Sequence, residues 1–352
     1  MKVLFIGGTG LISSACSRLA IEQGMDLYLL NRGQNQTRPA PKEARQIQAD
    51  SRDPDAARAA LQNYSFDVVV DFIAFTPEQI ETDLALFSGK VGQYIFISSA
   101  SAYQKPVANL PITESSPLAN PFWRYSRNKI ACEERLMRAY REDGFPFTVV
   151  RPSHTYDKTA IPLHGGWTGI DRMRRGLPTV VHGDGTTLWV MTHHEDFARA
   201  FNGLLGNPHT IGDTYHITSD EVLTWDQIHE IFARLLNVKP RLFHIASDLI
   251  NAYDPEWGMR LLGDKTHSVM FDNSKIKHVV PGWSANISYH QGAEEVLEWY
   301  LADPSRQKID PALNDLMDRM IGAVESITPK PRSSFPSPIV GLLYILIAGN
   351  KP

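Results

Sequence analysis

Cysteine is scarce in this 352-residue chain: Cys16 and Cys132 are the only two, far apart and without C-x-x-C spacing. That argues against a disulfide framework and a cysteine-based zinc site, and it fits a reducing cytoplasm. An excess of positive charge is lacking as well. Lys and Arg total 35 against 39 Asp and Glu, a net charge of −4. Nucleic acid is therefore not expected as the main partner, because phosphate binding needs a basic face. No apolar run is long enough to span a membrane. Ile339 to Ala348 is ten apolar or small residues, about half of what a spanning helix requires. It is expected to pack on the body or on a neighbouring subunit, or to lie on a membrane surface. Histidines are numerous, with His154, His164, His182, His193 and His194 in the second half. Adjacent side chains such as His193 and His194 diverge on either a helix or a strand, so no metal site is expected.

What remains is the composition of an ordinary folded protein, 43% hydrophobic and 21% charged. Met1 to Ile6 runs straight into a glycine turn and reads as a first strand rather than a signal peptide. Apolar runs at Val3 to Ile6, Leu27 to Leu30, Asp67 to Val70, Tyr94 to Ser98 and Phe147 to Val150 read as buried strands. Helical stretches at 11–23, 54–61, 77–87 and 128–141 alternate with them, the last with Glu133 and Glu134 on its solvated side. That alternation predicts an α/β fold, a Rossmann-type doubly wound parallel sheet with a smaller C-terminal substrate lobe. Residues 1–153 form the dinucleotide-binding part, with 188–220 returning to it. Residues 154–187 and 221–325 form the substrate lobe, where Arg172, Arg174 and Arg175 read as a solvated basic helix face. Residues 326–352 read as a proline-rich linker and apolar tail.

Two motifs carry chemistry. Gly7-Gly8-Thr9-Gly10 ends a strand and opens a helix, the context of a pyrophosphate-binding turn, with Ser13 at the third small position. Tyr125 and Lys129 are spaced Y-x-x-x-K, which on a helix puts both side chains on one face. A nearby ammonium is expected to lower the tyrosine pKa from its ordinary value of about 10. A Tyr so tuned exchanges a proton with a substrate hydroxyl while a nicotinamide handles the hydride. At the end of the second strand stands Leu30-Asn31-Arg32-Gly33, with no acid for a ribose and with Arg32 available to a 2′-phosphate. NADP is therefore expected in preference to NAD.

Over residues 1 to 300 the chain resembles the extended short-chain dehydrogenase/reductase family, of the NAD(P)-dependent sugar epimerase/dehydratase type. The landmarks stand in order: the glycine turn, Asp50-Ser51, Asp71-Phe72-Ile73-Ala74, the serine-rich Ile97 to Tyr103, Tyr125 with Lys129, Arg151-Pro152-Ser153, His182 to Gly185, Phe271 to Lys275, and Pro281-Gly282-Trp283. The resemblance implies a catalytic Ser99 beside Tyr125 and Lys129. It implies cofactor contacts from Gly7, Thr9, Gly10, Leu11, Ile12, Asn31, Arg32, Asp50, Ser51, Phe72, Ile73, Ala74, Pro152 and Ser153 as well as Tyr125 and Lys129. Substrate contacts are implied for Ser101, His154 and Trp189. His154 stands where the family usually has Asn, and Trp189 where it usually has the Arg that grips a pyrophosphate, which weakens the case for a nucleotide sugar. Ala100 and Ser101 replace the acid pair of dehydratases, which disfavours dehydration. The function expected is a cytoplasmic oxidoreductase or epimerase acting on a small molecule, and the resemblance implies a homodimer through the helices at 77–88 and 128–141. A rival is a non-catalytic dinucleotide- or RNA-binding protein on the same scaffold, because the chain also resembles chloroplast stem-loop-binding proteins.

Overall fold

Seven parallel strands make the central sheet of this protein, seen in a computed structural model that describes residues 1–327. The apolar run at Ile339 to Ala348, and the linker from 328 on, lie outside the described residues. The strands are β1 (Lys2–Ile6), β2 (Asp26–Asn31), β3 (Arg45–Gln48), β4 (Val68–Asp71), β5 (Gln93–Ile97) and β6 (Phe147–Pro152), with Asp213–Ile217 added beyond β6. Their spatial order is Asp213–Ile217, β6, β5, β4, β1, β2, β3. The order reverses beside β1, which pairs with β2 on one side and β4 on the other. In doubly wound sheets the crevice above that switch point, at the carboxyl ends of the strands, is where a dinucleotide binds.

The helices follow from local chemistry. These are α1 (Ser13–Glu22), α2 (Pro54–Leu61), α3 (Pro77–Phe87) and α4 (Arg124–Asp143). Asp53 caps α2 by accepting the N–H groups of Asp55 and Ala56, and Thr76 with Gln79 forms a capping box on α3. Proline at the first position of both helices fixes the entry. Alternate residues of the strands face opposite ways. Val3, Phe5, Val70 and Ile95 pack against Ala15 and Cys16 of α1 and against Phe197 and Phe201 of the helix His194–Asn202. Leu4, Ile6, Val69 and Phe96 pack against Ile80 and Leu84 of α3 and against Cys132 and Leu136 of α4.

β3 is an edge strand that the sequence reading passes over. Only Ile47 of its four residues is buried, so it carries too little apolar signal to register as a strand. A second pair of cores lies in the C-terminal half. Strands 154–156 and 191–193 pair there, as do 178–182 and 241–245, together with helices Trp167–Arg174, Trp225–Leu235, Tyr289–Leu301 and Pro311–Ile327. Trp189, Val190 and Met191 belong to this core. Arg172 departs from the solvated face expected of it. It is fully buried and bonds the Pro178 carbonyl, Asn314 and Asp318, tying the last helix to the strand at 178–182. Arg174 and Arg175 are exposed.

Candidate active site

The glycine turn lies at the carboxyl end of β1, where the strand order reverses. Gly7 has φ of 84°, in the left-handed region, and a Cβ there would stand 2.5 Å from Ile73. Ser13 does more than stay small. Its hydroxyl accepts the Gly10 N–H at 2.7 Å and donates to the Gly7 carbonyl at 2.7 Å, fixing the turn. Among the described residues no side chain caps α1; the Ser14 N–H donates to the Gly10 carbonyl at 3.0 Å, and the rest of that first turn can face an anion. Ile12 packs on the core below, and the Leu11 carbonyl lies 3.3 Å from His194 Nδ1. The Thr9 carbonyl accepts from Asn35 Nδ2 at 2.6 Å, which draws the loop after β2 toward the turn. Arg38 of that loop holds Asp157 through two bonds, at 2.5 and 3.1 Å.

A cleft of about 240 Å³ opens beside the turn, lined by residues that include Gly7, Gly10, Asn31, Arg32, Asp50, Ser51, Arg52 and Ile73. Asn31 Oδ1 accepts the Gly33 N–H at 2.8 Å, while its buried Nδ2 has no partner among the described residues. Arg32 and Arg52 are exposed, and neither pairs with a carboxylate among the described residues. Asp50 accepts the Arg52 N–H at 3.0 Å. An orphaned donor, an uncapped helix N-terminus and a turn with no room for a Cβ are the features a bound dinucleotide would use, so the residues fit one. Among the described residues, no group of three or more His, Cys, Asp or Glu is placed to hold a metal ion.

Beyond β4 the chain turns toward the catalytic candidates. Asp71 accepts the Ile73 and Ala74 N–H groups at 2.5 and 2.7 Å. Phe72 packs edge-on to Phe5 in the core. The Ala74 carbonyl accepts Lys129 Nζ at 2.6 Å, and the Ile97 carbonyl accepts it at 2.7 Å. Lys129 is 1% exposed, and its ammonium lies 5.9 Å from the centroid of the Tyr125 ring. Ser99 lies close enough to the Tyr125 hydroxyl to favour its ionised form. The Ser99, Ser101 and Ser126 hydroxyls form a chain, with contacts of 2.9 and 2.8 Å.

The expected lowering of the Tyr125 pKa does not occur. Burial pushes it up to about 12, with Ser99 acting in the other direction. Lys129 is engaged by two backbone carbonyls instead of the phenol, and it pays for its burial with a pKa lowered to about 8. The ordinary lysine value is higher, so between pH 8 and 10 the unfolded chain holds a proton on Lys129 that the folded chain has released. Stability from this group must therefore rise with pH in that window. Denaturant unfolding of the wild type relative to Lys129→Met will show the wild type gaining up to about 1.4 kcal/mol per pH unit there.

Several functional side chains escaped the sequence reading. Glu133 is not solvated. It lies four residues beyond Lys129 on α4, is 6% exposed, accepts two bonds from Arg151 at 3.0 and 2.5 Å, and accepts Ser98 Oγ at 2.5 Å. The Arg151 guanidinium in turn lies 4.8 Å from the Tyr103 ring centroid. Asp83 of α3 takes the Tyr94 hydroxyl at 2.5 Å. Burial, and Asp71 beside it, hold the Asp83 carboxyl well above the usual range. The sequence signal for Glu133 was its place on the Tyr125–Lys129 face. For Asp83 there was none.

The three expected substrate contacts separate. Ser101 is 4% exposed; its hydroxyl is engaged by those of Ser99 and Ser126, and its backbone N–H donates to Ser99 Oγ at 3.2 Å. Trp189 is 2% exposed and its indole donates to His154 Nδ1 at 3.2 Å. His154 lines a cavity in the C-terminal lobe; burial lowers its pKa to about 3, so the ring is neutral. Pro152 ends β6, and the Ser153 carbonyl accepts Thr155 Oγ1 at 3.3 Å.

A family model described as the NAD dependent epimerase/dehydratase family matches residues 3–218. The chain is 26% identical over 305 residues to the chloroplast stem-loop binding protein of 41 kDa b of Arabidopsis thaliana, covering 83% of this chain and 77% of that one. It is 25% identical over 237 residues to 2'-dehydrokanamycin reductase of Streptomyces kanamyceticus, covering 65% of each. Among solved structures, a UDP-glucuronic acid 4-epimerase from Bacillus cereus in complex with NAD superposes with a TM-score of 0.68 at 18% identity, over 86% of this chain and 99% of that one. At that identity the likeness concerns the fold. Among the described residues no helix is long and apolar enough to cross a membrane.

Proposed function

Because this chain belongs to the NAD dependent epimerase/dehydratase family, we propose that it is an NADP-preferring epimerase or reductase acting at a hydroxyl or keto carbon of a sugar-like or other small polar substrate. One observation carries the reading. A continuous path runs from the glycine turn to the phenol: Gly7 against Ile73, the Ala74 carbonyl on Lys129, and the Lys129 ammonium 5.9 Å from the Tyr125 ring centroid. It sets the groups that bind a dinucleotide next to a group that moves a proton. A family relative named as a reductase supports the reductase form, and one named as a UDP-glucose 4-epimerase, from Lactobacillus helveticus and 32% identical over 170 residues, supports the epimerase form.

In this reading Tyr125 gives its proton to a substrate oxygen during reduction and takes it back during oxidation. Ser99 donates to the same oxygen, held in place by Ser101 and Ser126. Lys129 keeps a positive charge behind the ring, which stabilises the phenolate when the proton has left. Bound nicotinamide would supply the hydride exchange at the adjacent carbon. Arg32 and Arg52, which line the cleft beside the turn, would take a 2′-phosphate, and the unpartnered Asn31 Nδ2 would offer a donor to the ribose.

Arg32→Ala is expected to lower NADP affinity by roughly tenfold and to leave NAD affinity nearly unchanged. Titration of the stripped protein with each dinucleotide measures the ratio, and an unaltered ratio would remove Arg32 from the account. A dinucleotide retained through gel filtration favours the epimerase, and a freely exchanging one the reductase. The likeness to the stem-loop binding protein, which covers most of the chain, supports a second reading as an RNA-binding protein. Salt-dependent binding of an RNA stem-loop at low micromolar protein would favour it.

A further inference from the structure

A cavity of about 300 Å³ lies in the C-terminal lobe, between the strand at 178–182, the start of the helix Trp225–Leu235 and the turn Leu261–Lys265. Its chemistry is one-sided. The Thr179 hydroxyl and the Trp225 indole N–H are buried, in residues only 3% exposed, and have no partner among the described residues. Buried donors left unmatched are costly and uncommon in folded proteins. His154 adds a third donor. Its Nδ1 accepts from Trp189, which places the proton on Nε2, and that nitrogen has no acceptor among the described residues.

The charges are one-sided as well. Among the described residues no carboxylate lines the cavity, whereas Arg260 and Lys265 do. Arg260 is engaged at the rim by Glu256 at 2.5 Å. Lys265 has only Asp264, at 4.0 Å, and that carboxylate also faces Lys105 at 3.6 Å. One carboxylate thus faces two lysines whose pKa values burial lowers, and a bound anion would favour their charged forms.

The cavity is also coupled to the catalytic candidates. The Leu261–Lys265 turn is π-helical, a distortion frequent at functional sites. Its Gly263 carbonyl accepts from Asn120 at 2.7 Å, and a Cβ on Gly263 would stand 2.6 Å from Trp123, two residues before Tyr125. His182 Nε2 holds the Lys265 carbonyl at 2.9 Å, anchoring the other end of the turn.

We propose that this cavity recognises a small substrate bearing one anionic group, phosphate or carboxylate, with Lys265 taking the charge and Thr179, Trp225 and His154 donating hydrogen bonds. The proposal rests on the oxidoreductase reading and names its substrate class. The volume is at the lower end of small-molecule pockets, which favours one ring with one anion over a nucleoside-diphosphate sugar.

The test is calorimetric titration of the full chain with D-glucose 6-phosphate, D-glucuronate, D-glucose and UDP-glucose. One of the two single-anion probes should bind, and which one identifies the anion. Neutral glucose should bind at least tenfold more weakly, and UDP-glucose no more tightly than the better probe. Lys265→Met should weaken the anionic probe roughly tenfold or more. Thr179→Val should weaken it several-fold while leaving the melting temperature unchanged or raised, because the valine removes an unpaired buried hydroxyl. Both variants should bind dinucleotide as the wild type does. Tighter binding of UDP-glucose, no binding of either anionic probe, or an unchanged response in Lys265→Met would overturn the proposal. The oxidoreductase reading fails separately, if anions bind as expected and no dinucleotide does.

Discussion

Tyr125→Phe is expected to lower turnover about 100- to 10,000-fold, the usual contribution of a positioned proton donor, while dinucleotide and substrate binding change little. The substitution deletes one oxygen and keeps the ring. That ring packs 4.8 Å from Trp123 and 6.1 Å from Phe75, centroid to centroid, so the pocket wall survives. Turnover is followed by nicotinamide absorbance with the ligand found in the anion titrations. The high pKa of Tyr125 makes the prediction sharper. With the value pushed up to about 12 by burial, the group is a phenol at neutral pH and serves reduction as a proton donor without prior activation. Turnover within threefold of wild type would mean that the proton reaches the substrate oxygen by another route, such as the Ser99–Ser101–Ser126 chain.

Glu133→Ala is expected to destabilise the fold by about 3–5 kcal/mol, the range for breaking a buried ion pair from one side. The two side chains are 7% and 5% exposed. Without Glu133 the Arg151 guanidinium stays buried against the Tyr103 ring with its main counter-charge gone, and Ser98 loses its acceptor. Urea unfolding measures the loss. Glu133→Gln keeps the shape and one acceptor oxygen, so it should lose less. If both variants unfold at the wild-type urea concentration, Arg151 has found another acceptor, and the pair does not brace α4 against β6.

The sheet was legible because a buried parallel strand is a short apolar run between turns, as at Val3 to Ile6 and Phe147 to Val150. The helix Pro77–Phe87 was legible because its N-terminal proline is a local signal. β3 was not, since three of its four residues face solvent. The Tyr125 and Lys129 pair was readable from helical spacing, yet the same rule carried one turn further would have placed Glu133 inside. A charged residue was read as solvated because its partner, Arg151, lies on a different element. Arg172 escaped for the same reason, as its partners Asn314 and Asp318 are far along the chain. The effect of Lys129 on Tyr125 also depended on what else the ammonium touches, and the Ala74 and Ile97 carbonyls come from two separate strand ends. The C-terminal cavity gathers residues from 154 to 317, a convergence that no spacing announces.

The central claim is that a dinucleotide bound at the Gly7 turn works beside Tyr125. The most direct measurement denatures the purified protein to identify any retained dinucleotide, then titrates the stripped protein with NADP and NAD. The account predicts binding of both with NADP the tighter. Binding of neither would contradict it and move the weight to the RNA-binding reading.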